Sequence, residues 1–309
     1  MYKPNNVIKL ISSNMKKTGN PLGALNLGWQ SKHLNVPSNG DFLLFTGLLY
    51  QLMPYIEKMV SYLEKIEDSI LEKWMHIAGS FPAKILNALV QKKEKEYPNL
   101  IIENIATILK KLGIQFYYRQ DLDRYSGILL YDLGDDEGFE KHASFVGKAL
   151  QEAGVKKIIT IDPHTTYALK ILYPKYTRFS FDVFTYIELV AENIENMEKG
   201  KGRMLKATIH DSCYYARYLG IFNQPREIMN VLGIKSIDIK NSKNLTSCCG
   251  GPIESISPNL SKGIARNRVK ELQKSGCDII AMCPICIVNL KKGGAKVKDF
   301  STIVREAMN

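Results

Sequence analysis

The sequence has 309 residues, of which 45% are hydrophobic, so it can bury one large core or two smaller ones. Its net charge of +11 comes from Lys and Arg spread along the chain, without the aromatic-interleaved basic block that favours a nucleic-acid-binding protein. The start shows no cleavable signal sequence, and the longest apolar stretch, Phe42 to Tyr50, is about half of a membrane span. We therefore expect no transmembrane segment and a cytoplasmic location. Any attachment to a membrane would be made through a partner.

The first half of the chain predicts alternating helices and strands. Apolar periodicity, glycines and prolines indicate, in order, a helix over 5–17, a strand over 41–45, a long helical region over about 51–95 interrupted near Pro82, a helix over 104–113, a strand over 114–118, a helix over 138–154 and a strand over 155–161. Such alternation is typical of a parallel α/β sheet.

The second half follows the same plan. Its predicted elements are a strand over 204–210, a helix over 226–233, a strand over 234–239, a helix over 257–276 with Ser257 as its N-cap, and a strand over 277–282. We interpret the basic segment 291–298 as a flexible surface segment.

Five cysteines in the last third form a regular pattern. They come singly, as an adjacent pair and as Cys-x-x-Cys, namely Cys213, Cys248, Cys249, Cys283 and Cys286. Two of these groups follow predicted strands and the third lies in a loop before a helix, and the carboxyl ends of parallel strands are where ligands bind. Thiolates in this order are typical of an iron–sulfur or other soft-metal site. A structural zinc site is the alternative, because Cys-x-x-Cys and two further thiolates satisfy tetrahedral zinc.

The sixth cysteine, Cys277, stands apart from this pattern at the start of a predicted strand. We expect it to pack in the core as a small apolar side chain.

The two halves show the same order of features, which indicates an internal duplication. Residues 162–165 (Asp-Pro-His-Thr) follow one strand as residues 283–286 (Cys-Pro-Ile-Cys) follow another, with the proline at the same place. Residues 125–127 correspond to the adjacent cysteine pair of the second half, and residues 46–48 correspond to the segment that contains Cys213. We therefore predict an N-terminal helix and linker (1–40), a degenerate first repeat (41–200) with a helical insertion at 66–98, and a cluster-binding second repeat (201–309).

The cysteine motifs resemble those of the cysteine-rich CCG domain family. The resemblance is carried by HDSC at 210–213, ARYLGIFNQPREIM at 216–229, CCGG at 248–251 and CPIC at 283–286. That family includes the B and D subunits of heterodisulfide reductase and iron–sulfur subunits of enzymes that oxidise glycolate, lactate and, anaerobically, glycerol 3-phosphate. The resemblance extends from about Met15 to Lys291, because TGNPLG at 18–23 with Trp29 is similar to the link that follows a ferredoxin module in such subunits.

The sequence departs from the family pattern in two ways. The ferredoxin cysteines are absent, and the first repeat has other residues at its cysteine positions, namely Leu48, Tyr125, Ser126, Asp162 and Thr165. We interpret Asp162 and His164 as parts of an ordinary polar loop rather than as metal ligands. The edge near Leu48, Tyr125 and Asp162 is expected to be an exposed docking surface for a partner.

The resemblance implies an α/β protein of two pseudo-repeated parallel-sheet halves that holds a [4Fe–4S] cluster, in cubane or in the five-cysteine, non-cubane form. Its ligands would be Cys213, Cys248, Cys249, Cys283 and Cys286, and zinc is the alternative. Gly250 and Gly251 would let the backbone approach the sulfurs and donate hydrogen bonds. His210 and Arg217 would offset negative charge, or His210 would carry a proton.

The resemblance also implies a function in electron transfer. The leading hypothesis is an electron-transfer subunit of a heterodisulfide-reductase-like, flavin-linked oxidoreductase complex, because one cluster stores one electron at a time. Its partners would be a flavoprotein subunit and a ferredoxin-type iron–sulfur subunit. One alternative is a catalytic subunit that cleaves or forms a disulfide or persulfide at the cluster. Another is a zinc-bound scaffold that docks a flavoprotein.

Overall fold

The computed structural model describes residues 4–23, 27–31, 33–67, 87–197 and 206–308. The named helices are α1 (Pro4–Thr18), α2 (Leu49–Glu67), α3 (Lys92–Lys111), α4 (Ile128–Asp132), α5 (Asp136–Glu152), α6 (Pro163–Tyr167), α7 (Tyr173–Tyr176), α8 (Tyr186–Glu192), α9 (Gln224–Val231), α10 (Pro258–Gln273), α11 (Pro284–Lys292) and α12 (Phe300–Ala307). The strands are β1 (Phe42–Phe45), β2 (Lys157–Thr160), β3 (Asp182–Thr185), β4 (Lys206–His210), β5 (Lys235–Ser236), β6 (Asp278–Ala281) and β7 (Val297–Asp299). Within the described ranges, no helix combines the length and the apolarity needed to cross a bilayer.

The strands form two parallel sheets, one in each half. The first has the order β1-β2-β3, and the second has the order β5-β4-β6-β7. Tyr117 forms a parallel bridge to Leu43 on the open side of β1, at the place that β5 occupies beside β4. The predicted α/β fold with a parallel sheet in each half is therefore confirmed.

Local geometry also repeats between the halves. Gly127 has φ 85° and Gly250 has φ 92°, in the left-handed region that favours glycine. Pro163 and Pro284 each begin a helix, α6 and α11, directly after the strand that pairs with the first strand of its half, β2 with β1 and β6 with β4. The proposed domain boundaries stay a prediction, and most of the predicted insertion at 66–98, residues 68–86, lies outside the described residues.

The structure differs from the predicted elements at four places. The helix predicted from 104 begins at Lys92, where a capping box between Gln91 and Glu94 starts it. Of the strand predicted over 114–118, only Tyr117 pairs, because the Ile114 amide bonds to the end of α3 and the Tyr118 amide bonds to the Pro37 carbonyl. β3 was not predicted, because it is short and runs directly into a helix. The segment 291–298 is not simply flexible, since it ends in β7.

The cores of the two halves are continuous. One cluster of buried apolar residues includes Ile102 and Ile159 of the first half together with Ile228 and Phe300 of the second. A buried hydrogen bond also joins the halves, because the Tyr50 hydroxyl on α2 donates to Asp299 Oδ2, 2.7 Å away, at the N-cap of α12. The two repeats therefore stabilise each other.

Tyr50→Phe is expected to lower the free energy of unfolding by about 1–3 kcal/mol, because it removes a buried donor from the Asp299 carboxyl while keeping the ring. Urea denaturation under anaerobic conditions measures the change. Tyr176→Phe is the matched control, since its hydroxyl makes only a 3.4 Å surface contact to Asp136. Equal effects of the two substitutions would show that the bond between the halves contributes nothing.

Candidate metal centre

The five patterned cysteines meet at one edge of the second sheet. Cys213 follows β4 at the start of a π-helical turn, Tyr214–Tyr218. Cys283 is the N-cap of α11, and Cys286 lies in the first turn of that helix. The adjacent pair lies in the loop before α10. The thiols contact one another in the order Cys213, Cys248, Cys249, Cys286 and Cys283.

The group of thiols has one deep side and one open side. Cys249, Cys283 and Cys286 are buried, whereas Cys213 and Cys248 are half-buried. A bound cluster would therefore be reached from the Cys213–Cys248 side.

The loop of the cysteine pair holds its backbone close to the sulfurs. The Gly250 amide donates to Cys248 Sγ at 3.3 Å. A Cβ on Gly251 would lie 2.4 Å from Ile285 Cγ2 and 3.5 Å from Cys249 Sγ, so that position has room only for hydrogen. The roles predicted for both glycines at a bound cluster stay predictions.

His210 reaches the same group from the end of β4. Its side chain is fully buried, and one of its ring nitrogens, Cys249 Sγ and Cys286 Sγ all lie within 4.8 Å of one another. Burial and the neighbouring Arg268 guanidinium lower the pKa of His210 to about 3. The prediction that His210 carries a proton concerns the site with a bound cluster, and it stays a prediction.

Two further buried side chains, which the cysteine motifs did not indicate, lie beside the cysteines. Arg268 on α10 donates through Nε to His210 Nδ1 at 3.1 Å. His164 crosses from the first half and hydrogen-bonds to Cys283. Burial alone would lower the pKa of His164, but the charge of Cys283 and this hydrogen bond raise it to about 9. His164 thus lies in α6 and contacts the cysteine group, whereas the prediction that it is not a metal ligand stays a prediction.

The signal for His164 was present in the sequence. It stands at the position that Ile285 occupies in the second half, and Ile285 packs against apolar residues of both halves. The pseudo-repeat thus directs these two side chains toward the junction. Arg268 carried no comparable signal, because it is one of many basic residues on an amphipathic helix.

The charges of the thiols depend on one another. Hydrogen bonds from Cys213, from Cys249 and from the Gly250 amide lower the pKa of Cys248. The hydrogen bond from Cys213 to Cys248, together with burial, raises the pKa of Cys213. Thiolates packed this closely repel one another, and a cationic centre would relieve that repulsion. The five sulfurs and the backbone amide therefore fit an iron–sulfur cluster or another soft metal.

The matching edge of the first half has none of the five thiols, and it lies beside a cavity that Leu48, Arg124 and Tyr125 help to line. Tyr125 and Asp162 are buried, and Asp162 caps α6 by accepting from the amides of His164 and Thr165. Thr165 occupies the space beside Gly47, where a Cβ would lie 2.1 Å from Thr165 Oγ1. Tyr125 and Asp162 are buried, so the prediction that they form an exposed docking surface with Leu48 was wrong for these two residues.

Two other predicted residues lie away from the deep part of the site. Arg217 is exposed on the π-helical turn that follows Cys213. Cys277 is half-buried, and its thiol contacts the Ser275 carbonyl at 3.3 Å, so it is not the core residue that we expected.

Glu254 is a buried carboxyl near the cysteines that accepts from Asn289 Nδ2 at 2.9 Å. Burial, opposed by the bond from Asn289, raises the pKa of Glu254 to about 7. Because the folded pKa lies above the unfolded value, Glu254 stabilises the fold in its protonated form, and that contribution is lost as the pH rises toward and through about 7.

Glu254→Gln keeps an acceptor for Asn289 but stays neutral at every pH. The stability of the variant relative to the wild type should therefore rise between pH 5 and pH 8, by up to about 3 kcal/mol. Anaerobic urea unfolding at several pH values measures this difference, with Glu192→Gln on the exposed face of α8 as the control. A difference that does not change with pH would contradict the prediction.

Comparisons with known proteins identify the family that the cysteine motifs resemble. Residues 207–291 match the family model described as a cysteine-rich domain, CCG, which confirms the resemblance predicted from the motifs. The chain is 28% identical over 218 residues, 65% of its length, to the D subunit of the dihydromethanophenazine:CoB–CoM heterodisulfide reductase of Methanosarcina barkeri, and the match covers 53% of that relative. It is 27% identical over 227 residues, 67% of its length, to the EtfAB:quinone oxidoreductase of Syntrophomonas wolfei, of which 32% is covered.

A third relative is also named as an oxidoreductase. The chain is 29% identical over 202 residues, 63% of its length, to the probable iron-sulfur-binding oxidoreductase FadF of Bacillus subtilis, of which 28% is covered. The chain thus spans about half or less of the length of these curated relatives.

Proposed function

We propose that this chain, whose residues 207–291 form a cysteine-rich CCG domain, binds one [4Fe–4S] cluster and transfers electrons within a heterodisulfide-reductase-like, flavin-linked oxidoreductase complex. The observation that carries the proposal is the gathering of five sulfurs from three separate segments into one connected group. Relatives named as a heterodisulfide reductase subunit and as an iron–sulfur-binding oxidoreductase support the same chemistry.

The ligands would be Cys213, Cys248, Cys249, Cys283 and Cys286. The bound cluster would supply reversible one-electron storage. The chain's own residues shape the site: the deep thiols and the apolar core exclude water, and the Gly250 amide donates to a ligand sulfur. Because the first half has no cysteine at the equivalent positions, we assign one cluster to the chain and not two.

The open side of the site suits contact with a redox partner. Tyr214, next to Cys213, has its ring centroid 4.6 Å from that of His164, 4.9 Å from that of Tyr167 and 5.4 Å from that of Tyr218. Tyr218 is 59% exposed, so aromatic side chains lead from the cysteines to the surface. Aromatic residues are enriched at protein interfaces. We place here the contact with a flavoprotein or a ferredoxin-type subunit, in a cytoplasmic complex or one held at a membrane by a partner.

Metal analysis of protein made and purified without oxygen tests this proposal. We expect about four iron atoms and matching acid-labile sulfide per chain, with a brown colour and no stoichiometric zinc. A colourless protein that holds one zinc would instead establish the zinc-bound scaffold. The proteins that co-purify from the source cell, and their flavin content, test the proposed complex.

The half-buried pair Cys213 and Cys248 favours a second candidate function. A thiol or disulfide could approach the site from that side. The chain could then cleave a disulfide or persulfide with one electron from the cluster and one from a partner, or form one by passing two electrons in the reverse direction. Addition of organic thiols and disulfides to the iron-loaded protein should then change its spectrum. An unchanged spectrum with every compound tested would leave electron transfer alone.

A further inference from the structure

A buried arginine, Arg268, donates a hydrogen bond to His210, the histidine beside the cysteines. The Arg268 side chain is fully enclosed, and its Nε donates to His210 Nδ1 at 3.1 Å. Its other nitrogens donate to Thr246 Oγ1 at 3.2 Å and to Glu271 Oε2 at 2.7 Å. These three contacts hold the guanidinium in one orientation.

This contact determines which nitrogen of His210 carries the proton. A guanidinium has only donor groups, so the nitrogen that faces it must accept. Nδ1 of His210 therefore has a free lone pair, and the hydrogen of the neutral ring lies on Nε2. A nitrogen that carries hydrogen has no lone pair in the ring plane with which to bind a metal.

Nε2 is the ring nitrogen left without a partner. It is buried, and no side chain or backbone group in the described part of the protein hydrogen-bonds to it. Buried donors without a partner are rare in native proteins. The ring lies in the group formed with Cys249 and Cys286, where all three ligand-type atoms are within 4.8 Å of one another.

We infer that Arg268 is a positioning residue that holds His210 as an Nε2–H donor to a sulfur of the bound cluster, and so prevents His210 from acting as a metal ligand. The inference rests on the proposed iron–sulfur site and specifies how that site is tuned. Donation to a sulfur stabilises the more negative, reduced state and raises the reduction potential. The surroundings of the cysteines are thus built from β4 and α10 together, not from the cysteine motifs alone.

The test uses the full-length, iron-loaded protein and Arg268→Met, which keeps the length of the side chain and removes its donors. The midpoint potential is measured by EPR-monitored redox titration, and pulsed EPR in H2O and D2O detects exchangeable protons and nitrogen near the reduced cluster. We expect an exchangeable proton coupling and no directly bound nitrogen in the wild type. Arg268→Met should have a lower potential, and should either lose that coupling or show a nitrogen bound to iron.

Glu271→Gln is the matched control, because it alters the surface contact of Arg268 and leaves the contact with His210 in place; it should behave as the wild type. If Arg268→Met does not fold, His210→Gln and His210→Leu replace it: the amide of Gln can still donate to sulfur, so only His210→Leu should lower the potential. Wild-type potential in both Arg268→Met and His210→Leu, or nitrogen bound to iron in the wild type, would overturn the inference.

Nitrogen-15 NMR of the full-length chain separates this inference from the proposed function. It reports the tautomer of His210 whether or not the protein binds iron. A signal from the Nε2–H tautomer supports the role of Arg268 even in a chain that takes up no cluster. A signal from the Nδ1–H tautomer overturns it even in a chain that takes up four irons.

Discussion

Cys286→Ser is expected to remove most of the iron from the anaerobically prepared protein, from about four atoms per chain to fewer than about one. Cys286 lies on the deep side of the thiol group, between Cys249 and Cys283, and is 2% exposed. A serine hydroxyl at this depth is a harder and much less acidic ligand than a thiol, and water cannot reach the position to replace it. Iron and sulfide analysis with the visible spectrum measures the loss.

Cys277→Ser is the matched control, because Cys277 is half-buried and lies outside the thiol group. It should keep the full iron content. Extending the substitution to the other four ligands also distinguishes the two forms of cluster: a five-cysteine cluster needs every thiol, whereas a cubane can lose the fifth. Wild-type iron content in Cys286→Ser would show that iron binding does not require Cys286.

Gly250→Ala is expected to lower the free energy of unfolding by roughly 2–4 kcal/mol and to reduce iron loading. Gly250 has φ 92°, and a Cβ there would lie 2.7 Å from the Ser261 carbonyl oxygen. That oxygen belongs to the backbone of α10, which cannot move aside without breaking the helix. The loop would shift instead and would move the Cys248–Cys249 pair and the amide that donates to Cys248.

Gly263→Ala in α10 is the control for this substitution. Nothing lies within 4 Å of a Cβ at that position, and alanine favours a helix interior, so the variant should be about 1 kcal/mol more stable. Anaerobic denaturation and iron analysis of both variants measure the effects. A Gly250→Ala protein with unchanged stability and iron content would show that the loop tolerates a side chain.

The order of most helices and strands in the second half could be predicted from the sequence, because capping residues, prolines and apolar periodicity act over a few neighbouring residues. Ser257 caps α10 and Pro284 begins α11, as turn and capping preferences predict. Short strands with polar residues, such as β7, escaped prediction because their pairing depends on partners distant in the chain. The same limit applies to residues 114–118, whose amides bond elsewhere.

The sequence by itself determined the alternation of strands and helices, the five-cysteine set and the duplicated frame, because covalent spacing and strand length place the cysteines at one end of a parallel sheet. Only the tertiary structure decided what surrounds those cysteines. His164 reaches the site from the first half across the junction of the two halves, and Arg268 reaches it from α10, a helix of the second half that is far from β4 in the sequence. Burial then sets their charge and hydrogen bonding, because desolvation depends on every neighbour in space and not on the order of residues along the chain.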